Sequence, residues 1–119
     1  MIKMNEEQYQ LAYQVEQMQK IIESIDSQLN EVLMTRESLE DFKALEGKEE
    51  ILFPIANGIF VSGKLANDKK LRMNVGNNVV VEKTVDEAID LMQKQYDEIN
   101  NYKEELLSQL ESLLNKLQG

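Results

Sequence analysis

Leu71-Arg72-Met73-Asn74-Val75-Gly76-Asn77-Asn78-Val79-Val80-Val81-Glu82-Lys83-Thr84-Val85-Asp86-Glu87 contains the change of period on which the fold turns. Leu71, Met73 and Val75 alternate with other residues, and Val79 and Val81 resume the alternation, the two-residue period of a strand. Gly76-Asn77 between them marks a tight turn, so the first half of the stretch predicts a hairpin. The second half opens a helix. Thr84 is placed to accept from the backbone N–H of Glu87 while Glu87 reaches back, a capping box. Working upstream, Ile51, Phe53, Ile55 and then Ile59, Val61 repeat the strand period around Asn57-Gly58, a pair that predicts a type I′ turn with positive φ at both residues. Pro54 has no N–H for a ladder, which puts its strand at an edge or leaves it paired on one side. Ala66-Asn67-Asp68-Lys69 joins the two hairpins.

Both outer segments have a longer period. Met1, Met4, Leu11, Val15, Met18, Ile22, Ile25, Leu29, Val32 and Leu39 recur at spacings of three and four, with Gln8 and Arg36 as interruptions. This predicts a helix over residues 1–46, ended by Gly47. Downstream, over 84–118, the seam runs Val85, Ile89, Met92, Tyr96, Ile99, Leu106, Leu110, Leu113 and Leu117, with Lys103 as its polar intruder. Two such stripes joined by a compact connector pair antiparallel. With Lys43 opposite Val85, Leu117 falls near Leu11 and the first helix outreaches the second by about two turns. Met1, Ile2, Met4 and Tyr9 then have few partners in their own chain, and Leu113, Leu114 and Leu117 crowd the same tip.

Composition narrows the chemistry. The 119 residues carry a formal net charge of -9, which opposes binding to phosphate backbones and to anionic membranes. There is no Cys and no His, so thiolate nucleophiles, disulfides and the commonest general base and metal ligand are missing, and an enzyme is not expected. Neither a cofactor nor a metal is implied. The longest apolar run, residues 51–55, is too short to span a bilayer, and Met1-Ile2-Lys3-Met4 does not begin a secretion signal, which points to the cytoplasm. Gly58, Gly63 and Lys64 echo a phosphate-binding loop, but Leu65 stands where a hydroxyl is needed and the residues between are strand formers. Glu6, Glu7, Glu104 and Glu105 suit a solvated helix face better than a metal site.

Four short strands with apolar residues on both faces cannot satisfy themselves, so the sheet region is expected to oligomerise. Residues 51–65, from Ile51-Leu52-Phe53-Pro54 to Gly63-Lys64-Leu65, then Leu71-Arg72-Met73-Asn74-Val75-Gly76, then Val79-Val80-Val81-Glu82-Lys83-Thr84, resemble the central segment of an alpha-class prefoldin subunit. The helix, hairpin, hairpin, helix layout extends that resemblance over residues 1–119 as one domain, with the hairpins in 51–83. The resemblance implies an α+β fold: a long antiparallel two-helix coiled coil joined by two β-hairpins that oligomerise into a β-barrel platform. It implies a hetero-hexamer of two alpha and four beta-type subunits that holds non-native client proteins without ATP and passes them to a group II chaperonin.

Client binding then falls to Met1, Ile2, Met4, Tyr9, Leu113, Leu114 and Leu117, matched by position rather than by motif. Oligomerisation falls to Ile51, Phe53, Ile55, Phe60, Val61, Leu71, Met73, Val75, Val79, Val80 and Val81. Two other readings remain open from sequence: a homo-oligomeric or filament-forming paralogue, and an architectural coiled-coil adaptor that binds one defined folded partner.

Overall fold

The computed structural model describes residues 4–45, 50–65 and 70–118. In chain order these form α1 (Glu6–Lys43), β1 (Ile51–Ala56), β2 (Ile59–Gly63), β3 (Leu71–Asn74), β4 (Val80–Lys83) and α2 (Val85–Gln118). The chain divides into two compact units, one of Met1–Met34 with Gln93–Gly119 and the other of Thr35–Met92. The expected stop at Gly47 and the connector at residues 66–69 lie outside the described residues.

In the first unit α1 and α2 run antiparallel along the expected seam. Ile22, Ile25, Leu29 and Leu106 are buried together, with Met18, Tyr96, Ile99 and Leu110 packed against them. The 18, 22, 25, 29 spacing on α1 meets 96, 99, 106, 110 on α2, and the missing rung between Ile99 and Leu106 is Lys103. Its Nζ lies 2.6 Å from Asp26 Oδ1, and only a quarter of the side chain is exposed, so the stem covers apolar surface while the head reaches a carboxylate across the pair. A polar residue in the seam that finds one partner disfavours every other register. The hydrogen bond to Asp26 raises the Lys103 pKa above its ordinary value, against the opposing effect of desolvation. That stabilisation is therefore complete below pH 10.5 and is lost only as pH rises through the higher folded value.

The start of α1 differs from expectation. The helix begins at Glu6 because Asn5 caps it: the Gln8 backbone N–H donates to Asn5 Oδ1 at 2.8 Å, and the Asn5 N–H donates to Gln8 Oε1 at 3.0 Å. Gln8 is thus half of a capping box rather than a flaw in the seam, and Met4 precedes the helix instead of forming a rung of it. α2 has the box read from sequence, with Thr84 N–H donating to Glu87 Oε1 at 3.0 Å and Glu87 N–H to Thr84 Oγ1 at 3.1 Å.

The two boxes differ in charge, and that sets a pH prediction. The Thr84 backbone N–H, then its side chain, lowers the Glu87 pKa from 4.5. A carboxylate with a lowered folded pKa stabilises above its ordinary value and loses that contribution as pH falls through the lowered one. Acidification below pH 4.5 is expected to move the Thr84 amide resonance, whose N–H donates to the Glu87 carboxylate, toward that of an uncapped helix start, while the Asn5 amide, which donates to the neutral Gln8 side chain, holds its position.

In the second unit each hairpin is a separate two-stranded sheet. β1 and β2 pair antiparallel with Ile51 opposite Gly63, Phe53 opposite Val61 and Pro54 opposite Phe60, but Ile59 faces Ala56, so Ile55 is an extra, bulged residue beside the proline. The bulge explains a correction at the turn. Gly58 has φ 76, whereas Asn57 is absent from the residues of positive φ, so Asn57-Gly58 is not type I′. A bulge adds right-handed twist of its own, which removes the need for a primed turn to match the strands.

The primed turn sits in the other hairpin, one residue beyond the expected Gly76-Asn77. Asn77 and Asn78 have φ 51 and 60, and Val79 N–H closes the turn on the Gly76 carbonyl at 2.9 Å. β3 and β4 pair Leu71 with Lys83, Arg72 with Glu82, Met73 with Val81 and Asn74 with Val80. Val75 and Val79 flank the turn outside both strands, joined by a 2.9 Å hydrogen bond from Val75 N–H to the Val79 carbonyl.

Lys43 at the end of α1 pairs with Asp86 at the start of α2, 2.7 Å apart and one residue from the expected partner Val85. Val85, Ala88 and Met92 are the buried residues of this part of α2, and Ala88 has no exposed surface. The seam predicted Ile89 here, but Ile89 is only half-buried and the small residue before it takes the inner position. Replacing Ala88 by Leu adds three carbons where there is no room and is expected to destabilise the chain by about 1–3 kcal/mol, read from thermal unfolding followed by helicity.

Candidate functional site

Two apolar surfaces remain uncovered, one in each unit. In the first, Leu11 lies fifteen residues before Asp26 and Gln118 lies fifteen after Lys103, so the Asp26–Lys103 pair sets Leu11 against the last residue of α2. Residues 6–10 of α1 run on past that end. The overhang is about one and a half turns rather than two, because α1 starts at Glu6.

Of the residues expected at this tip, Met1 and Ile2 lie outside the described residues. Met4 is half-buried, and Tyr9 is 63% exposed. Counted from the Asn5 cap, Met4 and Tyr9 occupy the two positions that apolar side chains staple together at a helix start. That accounts for their apolar character locally, yet most of the Tyr9 ring stays bare. Leu113, Leu114 and Leu117 are each half-buried in the last turns of α2. Glu6, Glu7, Glu104 and Glu105 are exposed, and the first two favour the positive end of α1.

The second surface is the pair of hairpins. Cross-strand partners share a face, so Phe53, Ile59 and Val61 look one way and Leu52 and Phe60 the other. All five are exposed, Phe60 at 55% and Leu52 at 62%, so neither face of the sheet is a core. Ile55, Val75, Val79 and Val80 are exposed as well, while Ile51, Leu71, Met73 and Val81 are half-covered within their own unit. Phe53 lies over Gly63: a Cβ added there would meet the ring at 2.9 Å, which gives that glycine a packing reason. Single hairpins of this size are marginal in water, and apolar residues bare on both sides mark a surface completed by something else.

Sequence reasoning missed Leu52 and Ile59 in the hairpins and Tyr13, Ile21 and Tyr102 on the helices, all exposed. The helical ones left a signal, since each is an apolar residue off the three-four seam; Ile21 beside Ile22 is the plainest. Among the described residues no cluster of acidic side chains is arranged to hold a metal, and no helix is long and apolar enough to cross a membrane.

The family model for Prefoldin subunit matches residues 11–118. A prefoldin subunit alpha of Methanococcus maripaludis is 36% identical over 98 residues, 82% of this chain and 66% of its own length. Prefoldin subunit alpha of Pyrococcus horikoshii is 31% identical, covering 98% of this chain and 86% of that protein. That of Thermofilum pendens is 27% identical, covering 97% and 89%. Among solved structures, the filamentous PFD from Methanocaldococcus jannaschii has the same fold, with a TM-score of 0.78 over 92% of this chain and 91% of that one at 19% identity. The chain belongs to the prefoldin family, with the alpha-class subunits as its relatives. That is a family of chaperone subunits.

Proposed function

We propose that this chain is the alpha-type subunit of a cytoplasmic, ATP-independent holdase, built as a hetero-hexamer of two alpha and four beta-type subunits. Its hairpins form the joint with the other subunits, through Phe53, Ile55, Phe60, Val61, Val75, Val79 and Val80, with Ile51, Leu71, Met73 and Val81 beneath. The helix ends hold non-native clients through Met1, Ile2, Met4, Tyr9, Leu113, Leu114 and Leu117, and the client passes to a group II chaperonin. The observation that carries this reading is the apolar side chains left bare on both faces of the hairpins, with an exposed Tyr9 and half-buried Leu113, Leu114 and Leu117 at the helix ends. Weak apolar contacts at several tips of one assembly add up through multivalency, so no chemistry is required.

The test mixes the chain with beta-type subunits and adds several unrelated denatured proteins, following aggregation by light scattering without nucleotide. Suppression for all of them, with no affinity for their native forms, is the expected result. Selective binding of one folded partner would instead identify an adaptor.

A further inference from the structure

The turn between β1 and β2 brings together a carboxamide and a backbone nitrogen that nothing else in the hairpin engages. Asn57 is the one asparagine in the sequence followed by glycine, and both residues of the pair are exposed. Gly58 has φ 76 and nothing within 4 Å of the place a Cβ would take, so its nitrogen is open to close approach. Among the described residues the Gly58 N–H has no backbone acceptor, and the Asn57 carboxamide has no hydrogen-bond partner.

We propose that Asn57 is a site of spontaneous deamidation, an ageing mark that puts a carboxylate at the tip of the first hairpin and in part of the molecules reroutes the main chain through it. The Gly58 nitrogen, having given its proton to hydroxide, bonds to Asn57 Cγ, and the Cγ–Nδ2 bond breaks to release ammonia. Water then opens the cyclic imide. Attack at Cγ restores the ordinary chain with an aspartate, whereas attack at the Asn57 carbonyl carbon leaves isoaspartate, whose main chain runs through Cβ and Cγ. Water enters, ammonia leaves and nothing is oxidised or reduced. The chemistry stands by itself; its consequence for assembly rests on the reading of the hairpins as the joint between subunits.

The other asparagines are held where Asn57 is free. Asn74 Oδ1 accepts from the Gly76 N–H at 3.0 Å, and the nitrogen that would attack its Cγ, that of Val75, donates to the Val79 carbonyl at 2.9 Å. The attacking nitrogen for Asn78 is that of Val79, committed to the Gly76 carbonyl at 2.9 Å and crowded by a β-branched side chain. Asn77 is followed by Asn78, which has a side chain to shield its own nitrogen. Asn30, Asn100, Asn101 and Asn115 lie inside helices whose ladders hold the following N–H, and Asn5 Oδ1 is occupied by the Gln8 N–H at 2.8 Å. Asn67 lies outside the described residues. The two products act differently on the hairpin. Aspartate adds a charge alone, but isoaspartate adds an atom to the main chain between Ala56 and its partner Ile59, next to the register that sets Pro54 opposite Phe60 and Phe53 opposite Val61.

The test ages the full chain at mildly alkaline pH and maps its peptides by mass spectrometry, with electron-transfer fragmentation to separate isoaspartate from aspartate. Asn57 is expected to convert at least about tenfold faster than Asn74, Asn77 or Asn78, at a rate that rises in proportion to hydroxide. In denaturant the gap narrows because the other asparagines lose their hydrogen bonds, while Asn57 stays within about threefold of its rate in the folded chain. Asn57→Gln, which has to close a larger ring, is expected to stay unmodified over the same period. The aged chain is then mixed with beta-type subunits and the isoaspartate content of combined and uncombined chains is compared. Isoaspartate is expected to be about threefold depleted in the complex, whereas fresh Asn57→Asp, with the charge but an ordinary main chain, enters it as the unaged chain does. Conversion of Asn57 no faster than that of Asn74 overturns the site. Equal isoaspartate in both fractions, or an Asn57→Asp chain shut out as strongly, overturns the effect of the rerouted main chain. An unaged chain that does not join the beta-type subunits rejects the joint reading instead, and conversion in the free chain still decides the site.

Discussion

Replacing Phe60 and Val80 together by Asp is expected to leave a helical chain that no longer joins its partner subunits. Both side chains are more than half exposed in the free chain, so a carboxylate at either position keeps its water and the fold loses little. The helical seam at Ile22, Ile25, Leu29 and Leu106 involves no hairpin residue and gives the same helicity in the variant. Only when another subunit covers the hairpins does the charge lose its solvent, and the effective penalty is then several kcal/mol for each buried ion, enough to abolish a complex at micromolar concentration. Native mass of the mixture checks this. A full-sized complex from the double variant would mean that the hairpins are not the joint.

Removing residues 1–10 and everything after Leu113 is expected to do the reverse, leaving assembly intact and removing aggregation suppression. The truncation takes Met4, Tyr9, Leu114 and Leu117 but spares the buried seam from Val15 to Leu110 and both hairpins. Clients held by several weak contacts at once are lost steeply when each contact is weakened, because avidity multiplies the individual affinities. Light scattering at stoichiometric ratios distinguishes the outcomes: undiminished suppression would move client capture away from the helix ends.

How far the sequence was legible followed from the range of the interactions involved. The seam was legible because a three-four repeat has one structural meaning, and the register followed to within one residue, with Lys43 on Asp86 where Val85 was expected. The Thr84 box was legible because all of its parts lie within four residues. The Asn5 box is equally local, but Met1 and Met4 continued the apolar spacing and Gln8 looked like a gap in it. Turn type was harder. Asn57-Gly58 is the stronger dipeptide for a primed turn, yet the neighbouring bulge at Ile55 changed what the strands needed, and Asn77-Asn78 took the primed conformation.

Burial was the least legible property. Ala88 outranks Ile89 because the inner position is set by space rather than by hydrophobicity. Ile21, Tyr13 and Tyr102 fell outside a pattern that names one face only, and that is where an uncovered apolar flank escapes notice.

The central claim is that these hairpins are half of a structure whose other half lies on different chains. Native mass spectrometry of the chain alone and after titration with beta-type subunits tests it most directly. The account predicts that mixing yields a single species of two copies of this chain with four of its partner. A chain that keeps its own mass throughout the titration, with Leu52, Phe60 and Val80 as open to solvent labelling after mixing as before, would contradict it.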